Sequence, residues 1–313
     1  MTDSGHRLMT AQSEKTAANS APAGISPRYV VIMPARDEER YIGAALESLV
    51  RQAWVASAIL VVDDGSTDST ADIVQRYSQR YPFVQLLRRP NRGSRQPGPG
   101  VVDAFHHGLK SLADSSYDYV AKLDADCEYP ADYFRSVLGE FQNNPQLGIC
   151  GGVPLIRTRA GLHKDKRPPH HVRGATKIYR KSCFTDIGGL EPLLGWDILD
   201  DFTARSKGWE AYALESASYT SNRTVGAPIG LWRKWMHEGR TAYIQHHLLI
   251  YLIARSIRRC VNKPYILSGL LLILGYILGW WEKRPRVKDQ NIIHFLRQEQ
   301  REYLWRQVSP KIK

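Results

Sequence analysis

Two carboxylates separated by a single residue follow a short apolar run. Asp124 and Asp126 come directly after Tyr119–Leu123, so both side chains can reach a ligand beyond the end of a strand. One can bind a sugar hydroxyl while the other holds a divalent cation, because Mg²⁺ and Mn²⁺ prefer oxygen ligands and share them with substrate phosphates. A solvated acidic turn has the same short pattern, so the motif by itself does not distinguish a ligand-binding site from such a turn.

A second acidic turn, Asp63-Asp64-Gly65-Ser66, ends an earlier apolar run. A carboxylate at Asp63 can accept a hydrogen bond from the ring N–H of a nucleotide base. Gly65 permits a sharp turn, and Ser66 can cap the helix that follows. Turn and cap chemistry alone is the competing interpretation, and it applies to Asp64 more strongly than to Asp63.

The segment Arg88–Gly100 is dense in glycine, proline and arginine. Arg92, Arg95 and backbone N–H groups in it can bind phosphate, although a solvated basic loop explains each single arginine equally well. The chain has no G-x-G-x-x-G after a strand and no G-x-x-x-x-G-K-[ST] motif. Neither a dinucleotide-binding fold nor a P-loop is therefore indicated.

Three further carboxylates, Asp197, Asp200 and Asp201, have i, i+3 and i+4 spacing. If Trp196–Ser206 is a helix, the three side chains share one face. Neighbouring carboxylates raise one another's pKa, which suits one of them for general-base catalysis. The competing interpretation is a helix N-terminus enriched in acidic residues, which the helix dipole favours.

Short apolar runs alternate with segments of helical periodicity through the first half of the chain. This alternation predicts an α/β fold with a mostly parallel central sheet and helices on both faces. Ligands bind at the carboxyl ends of such strands, where both acidic turns lie. The predicted strands and helices are, in order, Tyr29–Pro34, Arg40–Val50, Ala58–Val62, Thr70–Gln79, Val84–Leu87, Val101–Leu112 and Tyr119–Leu123.

The second half of the chain is less regular. Leu155–Arg173 is basic and predicts a mobile loop, whereas Gly174–Asp186 predicts an edge strand with its flank. Ala227–Ile257 has amphipathic helical periodicity with basic residues. We expect three parts in the chain: a disordered tail at 1–27, a catalytic domain at 28–240, and a basic, apolar helical region at 241–313.

Composition restricts the possible partners and compartments. The chain has 313 residues and a net charge of +12, which suits nucleic acid, anionic lipid or phosphate-rich ligands without choosing among them. Its four cysteines are scattered, so zinc-site spacing is absent and a disulfide framework is not expected. The N-terminal tail lacks the apolar run of a signal peptide, so we expect the catalytic part to stay inside the cell.

Tyr265–Trp281 carries no formal charge and has basic residues on both flanks. As a helix it would be about 26 Å long, which is marginal against a hydrocarbon core of about 30 Å. Its flanking charges and aromatic ends favour a helix that lies in the interface of a membrane containing anionic lipids. We therefore expect attachment at the cytoplasmic face. A single spanning helix and a buried helix of a soluble domain are the alternatives.

Three segments together resemble the inverting family-two glycosyltransferases of the GT-A nucleotide-diphospho-sugar transferase fold, in particular the membrane-associated enzymes of the bacterial cell envelope. Residues 34–52 resemble the opening strand and helix of that family, 61–70 its nucleotide-base turn, and 122–130 its DxD strand end. The resemblance covers roughly residues 28–240.

The resemblance implies a role for individual residues. Asp63 would contact the base ring, Asp124 the ribose, and Asp126 the metal, which would be Mg²⁺ or Mn²⁺. The other residues implied to line the nucleotide-sugar pocket are Pro34, Arg36 and Glu38, beside the basic Arg95.

The chain departs from the family at the catalytic base. The family usually has an adjacent Glu-Asp pair, which residues 188–209 do not contain. Counting back without gaps from Gly208-Trp209 places the base at Asp197, which we favour. An adjacent acidic pair places it at Asp200-Asp201 instead.

The resemblance predicts transfer of a sugar from a nucleotide-diphosphate sugar to a saccharide or lipid-linked acceptor, with inversion, in the synthesis of cell-envelope polysaccharide or glycolipid. One alternative is a polyprenyl-phosphate sugar transferase, whose phosphate acceptor needs little base catalysis. A non-enzymatic alternative is a decayed transferase fold that acts as a membrane-binding module. Nucleic acid is not an expected partner.

Overall fold

The computed structural model describes residues 27–94, 96, 98–112, 116–158, 161–165, 170–222 and 230–308. The strands are β1 Tyr29–Ala35, β2 Ala58–Asp63, β3 Val84–Arg88, β4 Tyr119–Leu123, β5 Cys127–Glu128, β6 Leu147–Thr158, β7 Gly161–Lys164, β8 Thr176–Arg180 and β9 Glu210–Ser221. The helices are α1 Ile42–Val50, α2 Thr70–Arg80, α3 Pro99–Lys110, α4 Tyr133–Asn143, α5 Lys181–Asp186, α6 Trp196–Ser206, α7 Gly230–Ile244, α8 Leu249–Arg259, α9 Ile266–Trp281 and α10 Gln290–Val308.

The strands form one mixed sheet in the order β3-β2-β1-β4-β8-β6-β9-β5, with β7 paired to β6. The first four strands of this order are parallel to one another. β8 is antiparallel to both β4 and β6, whereas β6 and β9 are parallel. The prediction of a mostly parallel sheet is therefore wrong for its second half. A parallel neighbour needs a long crossover, usually a helix, and the described residues between β6 and β8 contain a hairpin instead.

β8 is an interior strand and not the edge strand predicted within Gly174–Asp186. Its residues from Thr176 to Tyr179 are all buried, including Lys177. A lysine in a short strand is typical of an exposed edge, but here its charge is paired inside the protein. The predicted mobile loop at Leu155–Arg173 is also partly wrong, because β6 continues into it and forms a hairpin with β7.

Buried side chains form a separate cluster on each face of the sheet. β1 contributes Val31 and Met33 to one cluster, and Val30 and Ile32 to the other. Helices α1, α2 and α4 cover the first face, and α3, α5 and α6 cover the second. The prediction of helices on both faces is confirmed, and burial on both sides explains why β1 is a continuous apolar run.

Helices α7 and α9 pack through glycines. A Cβ on Gly239 of α7 would lie 2.0 Å from the carbonyl oxygen of Leu272. A Cβ on Gly275 of α9 would lie 2.2 Å from the carbonyl oxygen of Met236. The two backbones therefore approach as closely as glycine allows. Residue 240, the expected domain boundary, lies inside α7.

Helix α10 packs on α6. Arg205 of α6 forms an ion pair with Glu299, and Leu199 packs with Ile292 and Ile293. No helix in the described part of the chain has both the length and the apolar character needed to cross a membrane.

Candidate active site

The two acidic turns lie at the same edge of the sheet. Asp63 is the last residue of β2 and Asp124 follows β4, while β1 lies parallel between these strands. Pro34 and Ala35 end β1, and Ala35 is in register with Asp63. The fold thus brings Pro34, Asp63 and Asp124 to the carboxyl ends of three adjacent parallel strands, which is where α/β proteins bind ligands.

A tight turn orients the side chain of Asp63. Its Oδ1 accepts a hydrogen bond from the backbone N–H of Ser66 at 3.0 Å. Gly65 has a φ of +74°, and a Cβ there would lie 2.4 Å from the Cα of Asn91. Only glycine fits this position. The turn therefore fixes one carboxylate oxygen of Asp63 and sets the direction of the other.

Arginines surround Asp64. Arg89 Nη1 lies 3.0 Å from Asp64 Oδ1, and Arg92 forms an ion pair with the same carboxylate. The buried Arg36 donates a hydrogen bond to the backbone carbonyl of Asp64 at 2.7 Å. Arg92, predicted to bind phosphate, thus neutralises Asp64 in this structure. Arg95 lies outside the described residues.

The segment after β1 is tied to the start of α2. The N–H of Glu38 donates to Thr70 Oγ1 at 2.7 Å, and the N–H of Ser69 donates to the carboxylate of Glu39 at 3.1 Å. Glu38 itself is buried. The segment that contains Arg36 and Glu38 and the acidic turn before α2 therefore form one rigid wall of the site.

The DxD turn presents two accessible carboxylates. The N–H of Asp124 donates to the carbonyl oxygen of Ala175 at 2.8 Å, and the Asp124 carboxylate contacts Nζ of Lys122. The Asp124 side chain is nevertheless 42% exposed. Asp126 is half-buried, and its Oδ1 lies 3.5 Å from the Cys127 sulfur. Both carboxylates remain within reach of a ligand.

Asp124 and Asp126 suit a cation that a substrate helps to bind. Within the described residues, no group of three or more His, Cys, Asp and Glu side chains could hold a metal ion. Mg²⁺ commonly takes one or two carboxylates and completes its coordination with phosphate oxygens and water. The oxygen donors of this turn fit that class of site.

A buried lysine holds the helix that carries the other three carboxylates. Lys177 Nζ donates to Oδ1 of Asp200 at 2.5 Å and to Oδ1 of Asp201 at 2.8 Å. It also donates to the backbone carbonyl of Asp197 at 2.5 Å. Tyr179 donates its hydroxyl to Oδ2 of Asp200. Burial raises the pKa of Asp200 to about 6, although Lys177 lowers it. Both oxygens of Asp200 are therefore engaged in the interior.

Asp201 is held in the same way, whereas Asp197 is not. The Oδ2 of Asp201 lies 3.0 Å from His171 Nδ1 and accepts from the N–H of Val172 at 3.2 Å. Asp197 is only partly buried, and a Cβ on Gly174 would lie 3.2 Å from its Oδ2. Of the three predicted bases, Asp197 is the only one that is not buried.

Arg173 is a largely buried basic residue whose charge acts on the site. Burial lowers the pKa of Arg173, while its charge interacts with those of Asp197 and Asp124. It also forms an ion pair with Asp165. Sequence reasoning missed Arg173, because it lies at the end of the segment predicted to be a loop. One basic residue among many gives no signal of its own.

A lysine on β4 and a lysine on β8 both lie near the ring of Trp196 at the start of α6. Lys122 Nζ lies 5.3 Å and Lys177 Nζ 6.0 Å from the centroid of the Trp196 ring. Both distances are within cation–π range. Lys122 also donates to the carbonyl oxygen of Gly174 at 2.8 Å. These roles were not predicted, although a lysine inside a short, otherwise apolar strand was an available signal.

Comparison with known proteins agrees with this geometry. The sequence profile of the family described as Glycosyl transferase family 2 matches residues 30–190. The poly-beta-1,6-N-acetyl-D-glucosamine synthase of Staphylococcus epidermidis is 27% identical over 157 residues, which is 50% of this chain and 34% of that protein. The synthase of the same name from Staphylococcus aureus strain COL is 28% identical over 126 residues, which is 40% of this chain and 28% of that protein. The chain thus matches about a third of these relatives' length.

A solved structure shows the same fold. The mannosyltransferase PcManGT from Pyrobaculum calidifontis, in complex with GDP-Man and Mn²⁺, has a TM-score of 0.57 and 16% sequence identity, covering 83% of this chain and 89% of its own. The chain therefore has a GT-A-like α/β fold. The profile match covers just over half of the chain and includes both acidic turns. On this match and this fold, the chain belongs to glycosyl transferase family 2.

Proposed function

We propose that the chain transfers a sugar from a nucleotide-diphosphate sugar to a saccharide or lipid-linked acceptor, with inversion of the anomeric centre. The observation that carries this proposal is that Asp63 and Asp124 lie at the carboxyl ends of the parallel strands that flank β1, with Asp197 packed against Gly174, next to the Ala175 carbonyl that binds the Asp124 N–H. The matched relatives are named as polysaccharide synthases, which supports a role in the synthesis of cell-envelope polysaccharide or glycolipid.

The donor would bind along the two acidic turns. Asp63 accepts a hydrogen bond from the nucleotide base, Asp124 accepts one from a ribose hydroxyl, and Asp126 holds Mg²⁺ or Mn²⁺ together with the diphosphate. A bound metal ion would supply positive charge where the leaving diphosphate becomes more negative. The mannosyltransferase of the same fold was solved with a nucleotide-sugar and Mn²⁺, the same classes of ligand.

The acceptor would be activated by Asp197 in a single displacement. Its carboxylate takes the proton of the acceptor hydroxyl while the hydroxyl oxygen attacks the anomeric carbon. The bond from that carbon to the diphosphate oxygen breaks at the same time, and the nucleoside diphosphate leaves with the electron pair. Lys177 fixes the backbone of Asp197 by a hydrogen bond to its carbonyl oxygen. The backbone that carries Asp197 is therefore held against β8.

Nucleoside diphosphates should stabilise the protein, and Mn²⁺ should increase the effect. Ligand at about 100 times its dissociation constant adds about 2.7 kcal/mol to the free energy of unfolding. For a chain of this size that corresponds to a rise of about 5 °C in Tm. The measurement is a thermal-shift screen of UDP, GDP, dTDP, CDP and ADP, each with and without Mn²⁺.

Two variants calibrate the screen. Asp63→Asn should weaken the response to the preferred nucleotide, whereas Asp132→Asn, an exposed carboxylate paired with Arg135, should respond like the wild type. If no nucleoside diphosphate changes the Tm of the wild-type chain in either metal condition, the proposed donor class is wrong.

Asp197→Asn should lower the rate of transfer by about 10²–10⁴-fold, the usual effect of losing a general base. Nucleotide-sugar binding should change little, because in the proposed reaction Asp197 acts on the acceptor and not on the donor. The measurement combines initial rates with the thermal shift given by the donor. Asp72→Asn, another exposed helical aspartate, is the matched control and should keep the wild-type rate.

Variants of the other two carboxylates on α6 test the assignment of Asp197 as the general base. Asp200→Asn and Asp201→Asn should lower stability, because both residues pair with Lys177 in the interior. Rates within threefold of wild type for all three single variants would exclude base catalysis by this helix. That result would favour the polyprenyl-phosphate alternative, in which the acceptor is already an anion.

We also propose that the chain acts at the cytoplasmic face of a membrane, as a peripheral or monotopic protein in contact with anionic lipids. Exposed apolar residues on the C-terminal helices support this site of action. A lipid-linked acceptor, or a polysaccharide extruded through the membrane, would then be close to the catalytic edge.

A further inference from the structure

Helix α9 exposes a continuous apolar stripe. Five large side chains with successive spacings of four, four, three and four residues are all exposed, so they lie on one face of the helix. The opposite face is closed, because Gly275 packs on the backbone of Met236 in α7. The stripe consists of Ile266, Leu270, Leu274, Ile277 and Trp281.

Helix α8 exposes a second stripe beside the first. Ile250, Ile253 and Ile257 share one face, and each is more than half exposed. The two helices are joined directly, because Ser256 Oγ donates to the carbonyl oxygen of Gly269 at 2.8 Å. The sequence had indicated amphipathic character here, but a second apolar stripe next to α9 is evident only from the packing.

The formal charges within the two helices are all positive, and Glu282, directly after α9, is paired with Arg240 and Arg284. Neither α8 nor α9 contains an aspartate or a glutamate. Exposed basic residues lie at the ends of the two helices, and exposed aromatic residues lie at both ends of α9. The basic residues are Arg258, Lys263, Lys283, Arg284 and Lys288, and the aromatic residues are Tyr265, Trp280 and Trp281.

We infer that α8 and α9 together form a surface that lies in the headgroup–acyl boundary of a bilayer containing anionic lipid. This inference rests on the proposed site of action at a membrane and identifies the surface responsible. The apolar stripes would enter the boundary, the aromatic residues suit its edge, and the basic residues meet anionic headgroups. Helix α9 has 16 residues, or about 24 Å, so it lies in the plane rather than across a core of about 30 Å.

A bilayer fits this surface better than a second copy of the chain. Two copies that met through α8 and α9 would bring two positively charged borders together, and like charges at an interface oppose association. Anionic headgroups would neutralise the same border. The charge of Lys263 and Lys283, at opposite ends of α9, therefore selects an acidic lipid surface as the occupant.

The test is co-sedimentation of the full chain with vesicles of phosphatidylcholine alone and of phosphatidylcholine with 30% phosphatidylglycerol. We expect binding to the anionic vesicles, weakened by 0.5 M NaCl. Trp281→Ser and the pair Ile257→Ser, Ile266→Ser should each lower partitioning by about tenfold or more, because apolar area no longer leaves water. Lys263→Glu and Lys283→Glu should each lower it by about fivefold or more.

Trp305→Ser is the matched control. Trp305 on α10 is 68% exposed and Trp281 is 76% exposed, so the same substitution is compared on and off the surface. Equal binding of wild type, Trp281→Ser and Trp305→Ser would overturn the inference. So would a wild-type dimer that Trp281→Ser converts to a monomer while vesicle binding is absent. The thermal shift given by nucleoside diphosphate, measured on the same samples, reports the donor site independently.

Discussion

Replacing Lys177 by methionine should lower the free energy of unfolding by about 3–5 kcal/mol, the usual cost of removing one partner from a buried ion pair. Lys177 is fully buried and donates to both Asp200 and Asp201. Without it, two carboxylates stay in the interior with no cation beside them. Chemical denaturation followed by circular dichroism measures the loss.

Two further variants show whether the stability lost in Lys177→Met comes from unpaired charge or from changed packing. Lys110→Met, on the exposed side of α3, should change stability by no more than about 0.5 kcal/mol. The triple variant Lys177→Met, Asp200→Asn, Asp201→Asn should regain a large part of the loss, because amides can still accept the bonds from Tyr179 and Val172. A Lys177→Met protein as stable as Lys110→Met would show that charge balance does not hold α6 in place.

Asp126→Asn should reduce turnover by about 10³-fold or more, which corresponds to several kcal/mol of charge stabilisation at the leaving diphosphate. The fold should persist, because Asn can keep the contact with the Cys127 sulfur and the backbone bond to Asn222. Initial rates across a Mn²⁺ titration, together with Tm, measure both effects.

The response of activity and nucleotide binding to metal ions shows whether the loss of activity in Asp126→Asn is due to a lost metal ligand. In the wild type, EDTA should remove activity, and in Asp126→Asn the stabilising effect of Mn²⁺ on nucleotide binding should disappear. Asp132→Asn should behave as wild type in both assays. If Asp126→Asn turns over at a near-normal rate in the presence of EDTA, Asp126 is not a metal ligand.

Elements set by local pattern could be predicted from the sequence with nearly the right bounds. Tyr119–Leu123 and Trp196–Ser206 match the structure at both ends, because apolar alternation and helical spacing are properties of adjacent residues. Helix α3 begins at Pro99 and not at Val101, since proline is favoured in the first helical turn. Parallel order then explains why Asp63 and Asp124 meet at one edge.

Features that depend on distant contacts could not be predicted. Lys177 and Asp200 are 23 residues apart, and nothing near either residue indicates that β8 becomes an interior strand. The same lysine engages two of the three acidic residues on α6 in the interior, which their spacing alone does not indicate. Arg173 is distant in sequence from both Asp197 and Asp124, so its charge interactions with them also depend on the fold.

The contact between α6 and α10 joins the C-terminal helices to the part of the chain that carries the candidate site. Leu199 and Arg205 on α6 are covered by α10, while Lys177 holds the same helix from the sheet side. Removing the C-terminal helices would uncover Leu199, unpair Arg205 and loosen the turn of helix that carries Asp197. If such a truncated protein is inactive, loss of the packing on α6 explains the result. Its inactivity would therefore not be evidence for the proposed membrane attachment.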